Sequence, residues 1–272
     1  MPKQLFKVGA KVVDAFGAKT YLIEEVLGEG GFGQAYRAEI LTAAGRRQAK
    51  GKGTFCLKVT LDPEAWHGES YFGLLTRGLP NVVQHVGSFP VKTRSGMRYF
   101  LVLELEHGGT VEDWIKADRG SWSPGQVANA MRTLGRVVGA MHASGAMHRD
   151  IKPANVYVGN RKSLRLGDFG IARHGLGGRG PKADVLTPAF VATSLLDGRK
   201  EWLPSDDVYQ LGLLALTLLL GFVVTDPDWR TLRHAIPDGP LREILQKATG
   251  PRSARYLSAS TFVDDLEVLR LS

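Results

Sequence analysis

Four residues carry the side chains that phosphate chemistry needs. Within Ala146 to Asn155, reading AMHRDIKPAN, stand Asp150, Lys152 and Asn155, and Asp168 follows in the stretch LGDFG from Leu166 to Gly170. Two carboxylates, an amide and an ammonium can hold a divalent cation through oxygen and steer a phosphoryl group. Asn155 lies five residues after Asp150 and Asp168 eighteen after it. The apolar runs between them, Val156 to Val158 and Leu164 to Leu166, predict a hairpin turning through Gly159 to Ser163. The segments bearing the polar groups then open at the same end of that hairpin. The chemistry expected is phosphoryl transfer.

Elements upstream must position the phosphate. A β-rich run from Thr20 to Leu27 leads into Gly28-Glu29-Gly30-Gly31-Phe32-Gly33, and a second run follows from Gln34 to Ile40. Glycines there let backbone approach phosphate oxygens closely, while Phe32 at the tip can fold over them. The same letters occur in dinucleotide-binding folds, but there a helix follows, and here a strand does. A third run, Phe55 to Thr60, carries Lys58, and a helix is predicted from Pro63 to Arg77. Strands are predicted over Val82 to Phe89 and Met97 to Leu103, and a helix of about 20 residues over Pro124 to Ser144.

Read in order, His148-Arg149-Asp150, Asn155 and Asp168-Phe169-Gly170 resemble the catalytic loop and metal-binding loop of eukaryotic-type protein kinases, and Lys152 resembles their serine/threonine branch. Either tripeptide alone is ordinary; both, in order and correctly spaced, are specific. The resemblance covers about residues 20 to 268. It implies an α+β, bilobal fold: residues 1–20 an N-terminal extension, 21–103 a small lobe with an antiparallel five-stranded sheet and one main helix, 104–109 a hinge, and 110–272 a larger, mainly helical lobe, with ATP between the lobes.

It also implies roles. Asp150 would orient a substrate hydroxyl and accept its proton, Lys152 would neutralise the moving phosphoryl group, and Asn155 and Asp168 would hold Mg²⁺, with Mn²⁺ as a substitute. Gly28, Gly30, Gly31, Phe32 and Gly33 would cover the phosphates of ATP, and Lys58 would grip two of them, paired with Glu69 or, in reserve, Glu64. Leu103 would guard the back of the adenine pocket, and backbone groups of Glu104 and Glu106 would bond the adenine edge. Ala35 and Cys56 would form its roof and Tyr157 its floor, stacking on the base or merely packing under it.

Several positions depart from the family pattern. Cys56 stands where alanine is common and Ala35 where valine is, so the volumes offset; the thiol faces the nucleotide and reads as inert packing, with reactivity the alternative. Gly73 falls where a bulky residue packs, four after Glu69. From Ile171 to Leu186 there is no Ser, Thr or Tyr, so loop phosphorylation has no acceptor; Arg149 would bind that phosphate, and Asp184 is the nearest carboxylate to replace it. Thr187-Pro188-Ala189-Phe190 resembles the substrate platform. Ala192-Thr193-Ser194 replaces Ala-Pro-Glu, so Arg255 needs exposure or a substitute partner such as Asp197 or Glu201. Asp207 matches the residue that holds the catalytic-loop backbone.

Composition bounds the rest. The 272 residues, 43% hydrophobic and 23% charged, suit one large domain or two lobes. One cysteine excludes an internal disulfide and suits a reducing, cytoplasmic setting, and the N-terminus reads as no signal peptide. The longest apolar run, Leu211 to Val224, is too short to span a membrane and predicts a buried helix. The net charge of +8 is scattered, without the aromatic-interleaved stripe of nucleic-acid binders, so no nucleic acid is expected. The basic loop 45–53 reads as a solvated hairpin tip or a docking site for an acidic partner. The partner expected is a protein with a Ser/Thr acceptor, acidic or neutral around it. Two other readings compete: a pseudokinase scaffold that binds nucleotide, and a kinase acting on a small-molecule hydroxyl.

Overall fold

In a computed structural model, which describes residues 5–14, 16–30, 33–47, 53–174, 188–191 and 201–269, the chain divides into two compact units. One comprises Met1–Gly78 and Val83–Leu105, the other Leu79–Val82 and Glu106–Ser272. Alternating apolar residues build the first unit around an antiparallel sheet: β1 (Lys11–Asp14), β2 (Lys19–Gly30), β3 (Gly33–Leu41), β4 (Thr54–Thr60), β5 (His85–Thr93) and β6 (Gly96–Glu104), ordered β1-β2-β3-β4-β6-β5. One face packs Tyr36, Ala38, Leu57, Val59, Phe100 and Val102 into a core. Helix α1 (Pro63–Leu75) is started by Asp62, whose carboxylate accepts from the amides of Glu64 and Ala65, with Pro63 at the first position.

The expected five-stranded sheet thus has a sixth strand, drawn from the residues expected to form an extension. Strand β1 is four residues long with only Val12 buried, too short for alternation to reveal it. The segment before it covers the sheet: Leu5 donates its amide to Gln34 Oε1 at 2.8 Å, and the Phe6 ring lies 5.2 Å from that of Phe100. A second correction concerns the strand expected from Val82. Asn81 turns the chain at φ 64°, Val82 makes an isolated parallel bridge with Leu166, and β5 starts only at His85.

The second unit is mainly helical: α2 (Val111–Lys116), α3 (Pro124–Ala143), α4 (Pro204–Leu220), α5 (Trp229–Ala235), α6 (Pro240–Thr249) and α7 (Ala259–Glu267). Capping boxes, Thr110 with Asp113 and Ser123 with Gln126, start α2 and α3. Helix α4 is buried from Ser205 to Leu218, as its apolar run predicts, and closes at Gly221 in the left-handed conformation. Among the described residues no helix is long and apolar enough to cross a membrane. Short strands complete the unit: β7 (Ala146–Met147) pairs with β10 (Arg173–His174), and β8 (Val156–Val158) pairs with β9 (Leu164–Leu166).

Candidate active site

The β8–β9 hairpin forms as its apolar runs predict, with Val156 opposite Leu166 and Val158 opposite Leu164. Across its open end the Gly167 amide donates to the Asn155 carbonyl at 2.9 Å, tying the segment that bears Asp150 to the segment that bears Asp168. Asp150 is 3% exposed. Its Oδ2 receives Lys152 Nζ at 2.8 Å and Asn155 Nδ2 at 2.7 Å, and Asn155 Nδ2 also donates to the Asp150 carbonyl. With its nitrogen committed to Asp150, the Asn155 amide turns its oxygen the other way. Asp168 sits in left-handed backbone at φ 58° and accepts the Gly170 amide at 3.2 Å.

Buried groups behind the loop fix this arrangement. Asp207, at the start of α4, accepts the amides of His148 at 2.8 Å and Arg149 at 2.9 Å, the His142 ring at 3.0 Å and the Trp202 indole at 3.0 Å. Burial alone would push the Asp207 carboxyl up, but the hydrogen bond and charge of His142, aided by His148, hold it below the usual carboxylate range. His148 is fully buried, which holds its pKa down against the pull of Asp207, Asp150 and Asp168. The neutral ring packs 5.1 Å from Phe169, its Nε2 meets the Gly167 carbonyl at 3.2 Å, and its Nδ1 accepts the Asp150 amide. Gln210, one turn along α4, accepts the Ile151 amide and donates to the Arg149 and Phe190 carbonyls.

In the N-terminal unit, pleating puts Ala35, Cys56, Lys58 and Leu103 on the sheet face opposite the core, with Ala35 beside Lys58 and Cys56 beside Leu103. Lys58 Nζ lies 2.9 Å from Glu69 Oε1, both side chains largely buried; Glu64 sits in the exposed first turn of α1. Gly33, at φ 128°, approaches β4 so closely that a Cβ would strike the Val59 carbonyl. Gly28 and Gly30 end β2, and Gly31 and Phe32 lie outside the described residues. The Glu104 amide donates to the Gln84 carbonyl at 2.9 Å. In the C-terminal unit Glu106 pairs with Arg165 at 2.6 Å, and half-buried Tyr157 bridges to Thr110.

The oxygens of Asn155 and Asp168 suit a hard cation such as Mg²⁺, which uses one or two protein carboxylates together with phosphate oxygens. Among the described residues no group of three or more His, Cys, Asp or Glu stands ready to hold a metal without such help.

Residues 21–247 match the protein kinase domain model. The chain belongs to the protein kinase family. It is 28% identical over 249 residues, 90% of its length, to calcium-dependent protein kinase 10 of Arabidopsis thaliana, covering 44% of that protein. It is 30% identical over 207 residues, 74% of its length, to calcium/calmodulin-dependent protein kinase type 1 of Caenorhabditis elegans, covering 56% of that protein. Serine/threonine-protein kinase PknL of Mycobacterium tuberculosis is 32% identical over 131 residues, 47% of this chain and 32% of its own. The chain therefore spans about half or less of the length of these relatives.

Within this kinase domain two of the departures expected from the sequence, at Arg255 and Gly73, find physical answers. Arg255 is buried and pairs with Asp206 Oδ1 at 3.1 Å; the Glu201 side chain is not its partner. Asp206 also receives Arg252 at 2.7 Å and the Leu203 amide at 2.8 Å, and Glu201 contributes its carbonyl to Arg252. Sequence reasoning passed over Asp206 because its neighbour Asp207 already had a role. Gly73 is matched by His85, which fills the space that a larger side chain would take: a Cβ on Gly73 would come within 2.7 Å of the His85 Cβ. His142, Trp202 and Gln210 were missed because a lone polar residue beside a loop carries no spacing signal. Asp184, Thr187, Asp197, Ala192-Thr193-Ser194 and residues 48–52 of the basic loop lie outside the described residues. Of that loop, Arg47 pairs with Glu24 at 2.7 Å and Arg46 is exposed.

Proposed function

We propose that the protein transfers the γ-phosphoryl group of Mg-ATP to serine or threonine hydroxyls of protein substrates. The observation that carries this is the Asp150 carboxylate, held at once by Lys152 and Asn155 on a loop fixed by Asp207. A carboxylate so placed orients an incoming hydroxyl and accepts its proton, and the Lys152 ammonium beside it offsets charge on the phosphoryl oxygens. Asn155 and Asp168 would hold Mg²⁺, which would neutralise charge on the phosphates. Lys58, fixed by Glu69, takes the α- and β-phosphates. The name of the serine/threonine-protein kinase PknL, which it resembles, supports the same class of acceptor.

Activity without loop phosphorylation is part of the proposal, because residues 171–186 contain no hydroxyl acceptor. So is a reducing, cytoplasmic setting, which suits the single cysteine, Cys56. The test is transfer from γ-labelled ATP with Mg²⁺ into mixed protein and, in parallel, into small hydroxyl compounds, followed by phospho-amino-acid analysis. Label on protein serine or threonine is expected. Label only on the small acceptors would make it a small-molecule kinase. No label, with ATP still raising thermal stability, would make it a nucleotide-binding scaffold.

A further inference from the structure

A cavity of about 200 Å³ lies in the C-terminal unit where the start of α3 meets the turn of the β8–β9 hairpin. It is smaller than the pockets of about 300–1,000 Å³ that enclose whole small molecules, so it suits the ends of one or two side chains. Arg161, Lys162, Trp122, Gln126 and Asn129 are among its lining residues, and none of the described residues lining it is acidic.

The turn itself is built from unexpected residues. The Ser163 amide donates to the Asn160 carbonyl at 3.1 Å, and the two residues between them, Arg161 and Lys162, both have positive φ, 55° and 59°. Such a turn favours Asn-Gly, and a side chain with a Cβ is strained at either position. The chain therefore accepts strain at the point where two adjacent cations meet the cavity. Lys162 is also held in place: its Nζ lies 5.2 and 5.6 Å from the Trp122 and Trp114 rings and 3.1 Å from Gln126 Oε1. Arg119 adds a third cation 5.5 Å from the Trp114 ring. The Oδ1 of Asn129 accepts from Arg132, which turns its amide nitrogen elsewhere. Finally, α3 has 20 residues and its N-terminus carries the positive end of its dipole.

We infer that this cavity is a docking site for an acidic segment of a partner protein, whose carboxylate is received by Arg161 and Lys162. Charge complementarity selects the occupant, and the small volume selects a side chain over a free metabolite. Three residues of strand at about 3.3 Å each place the turn roughly 10 Å from the end of the hairpin that bears Asn155 and Gly167, so a docked segment leaves the catalytic loop open. The site does not depend on phosphoryl transfer.

The test uses the full chain, a fluorescein-labelled peptide of glutamate and serine, and its twin with glutamine for glutamate, read by anisotropy at low and high salt. The glutamate peptide is expected to bind at low salt and the glutamine twin not to. Arg161→Asn should weaken binding about tenfold while raising Tm, because the turn gains a residue it favours. Lys162→Met, which keeps the stem over the tryptophans, should weaken it to a similar degree. Removing two exposed cations of the other unit, Lys92→Gln with Arg94→Gln, should leave it unchanged. Equal binding of the two peptides, undiminished binding by both cavity variants, or an equal loss in the distant variant would overturn the proposal. So would displaceable binding of inorganic phosphate at the cavity with no peptide bound, which would mark a small-anion site only.

Discussion

At the scale of single residues, burial decides which protonation states the fold tolerates. His85 is 4% exposed, and among the described residues neither ring nitrogen has a hydrogen-bond partner. Burial, with Arg77 nearby, lowers its pKa to about 4. Between pH 6.5 and about 4 the unfolded chain takes up a proton that the fold refuses, so stability falls as pH falls through that window. The loss amounts to about 3 kcal/mol at 1.36 kcal/mol per unit. Urea titrations across that range should show wild type losing stability by about that amount while His85→Leu stays flatter. Parallel curves would show that His85 is not the titrating group. Asp207 acts in another window: its depressed carboxyl contributes stability above the ordinary carboxylate range, and that contribution is lost as pH falls through its lower folded value.

At the scale of elements, α4 starts with two adjacent carboxylates that face different tasks, one of which positions the loop bearing Asp150. Asp207 holds the backbone of His148 and Arg149, while Asp206 holds Arg252 and Arg255. Burial pushes Asp206 up and Arg255 down, each only partly offset by the other's charge, so desolvation offsets much of the pair's attraction. Arg255→Met alone should therefore cost about 3–5 kcal/mol by leaving Asp206 buried with one cation fewer, whereas Arg255→Met with Asp206→Leu should recover much of it. Denaturant midpoints of the single and double variants check this; equal losses would show that the ion pair is not coupled. Asp207→Asn should lower activity through the loop, because its amide can no longer accept from all the donors that converge there.

The same elements show what a sequence reveals. The hairpin and α4 were legible because their apolar runs are long or sharply bounded, and the family signature lay in contiguous stretches. Strand β1 was not, since Val12 alone is buried in it. The Arg255 partner was not, since Asp206 lies 49 residues away and nothing in one chain's letters links them. His85 was not, since no spacing announces that a histidine fills the space left by a glycine.

For the whole molecule, the chain separates into two units with their own cores, a sheet packed on Phe6 and Phe100 and a helical bundle around α4. A ligand that binds only the folded state stabilises it by mass action. Mg-ATP at a hundredfold its Kd should add about 2.7 kcal/mol, which raises Tm by roughly 5–10 °C in a chain of this size. Lys58→Met should abolish most of that shift and also lower the apo Tm, because Glu69 stays buried with one cation fewer; a shift retained in full would remove Lys58 from nucleotide binding.

The central claim is that Asp150 makes this kinase domain a working phosphotransferase. Its most direct test is the steady-state rate of phosphate transfer by Asp150→Asn, with nucleotide affinity measured on the same protein. The geometry predicts a kcat lower by about 10²- to 10⁴-fold with nucleotide affinity nearly unchanged. A variant that keeps the wild-type rate would contradict the role given to Asp150 and, with it, the account of the site.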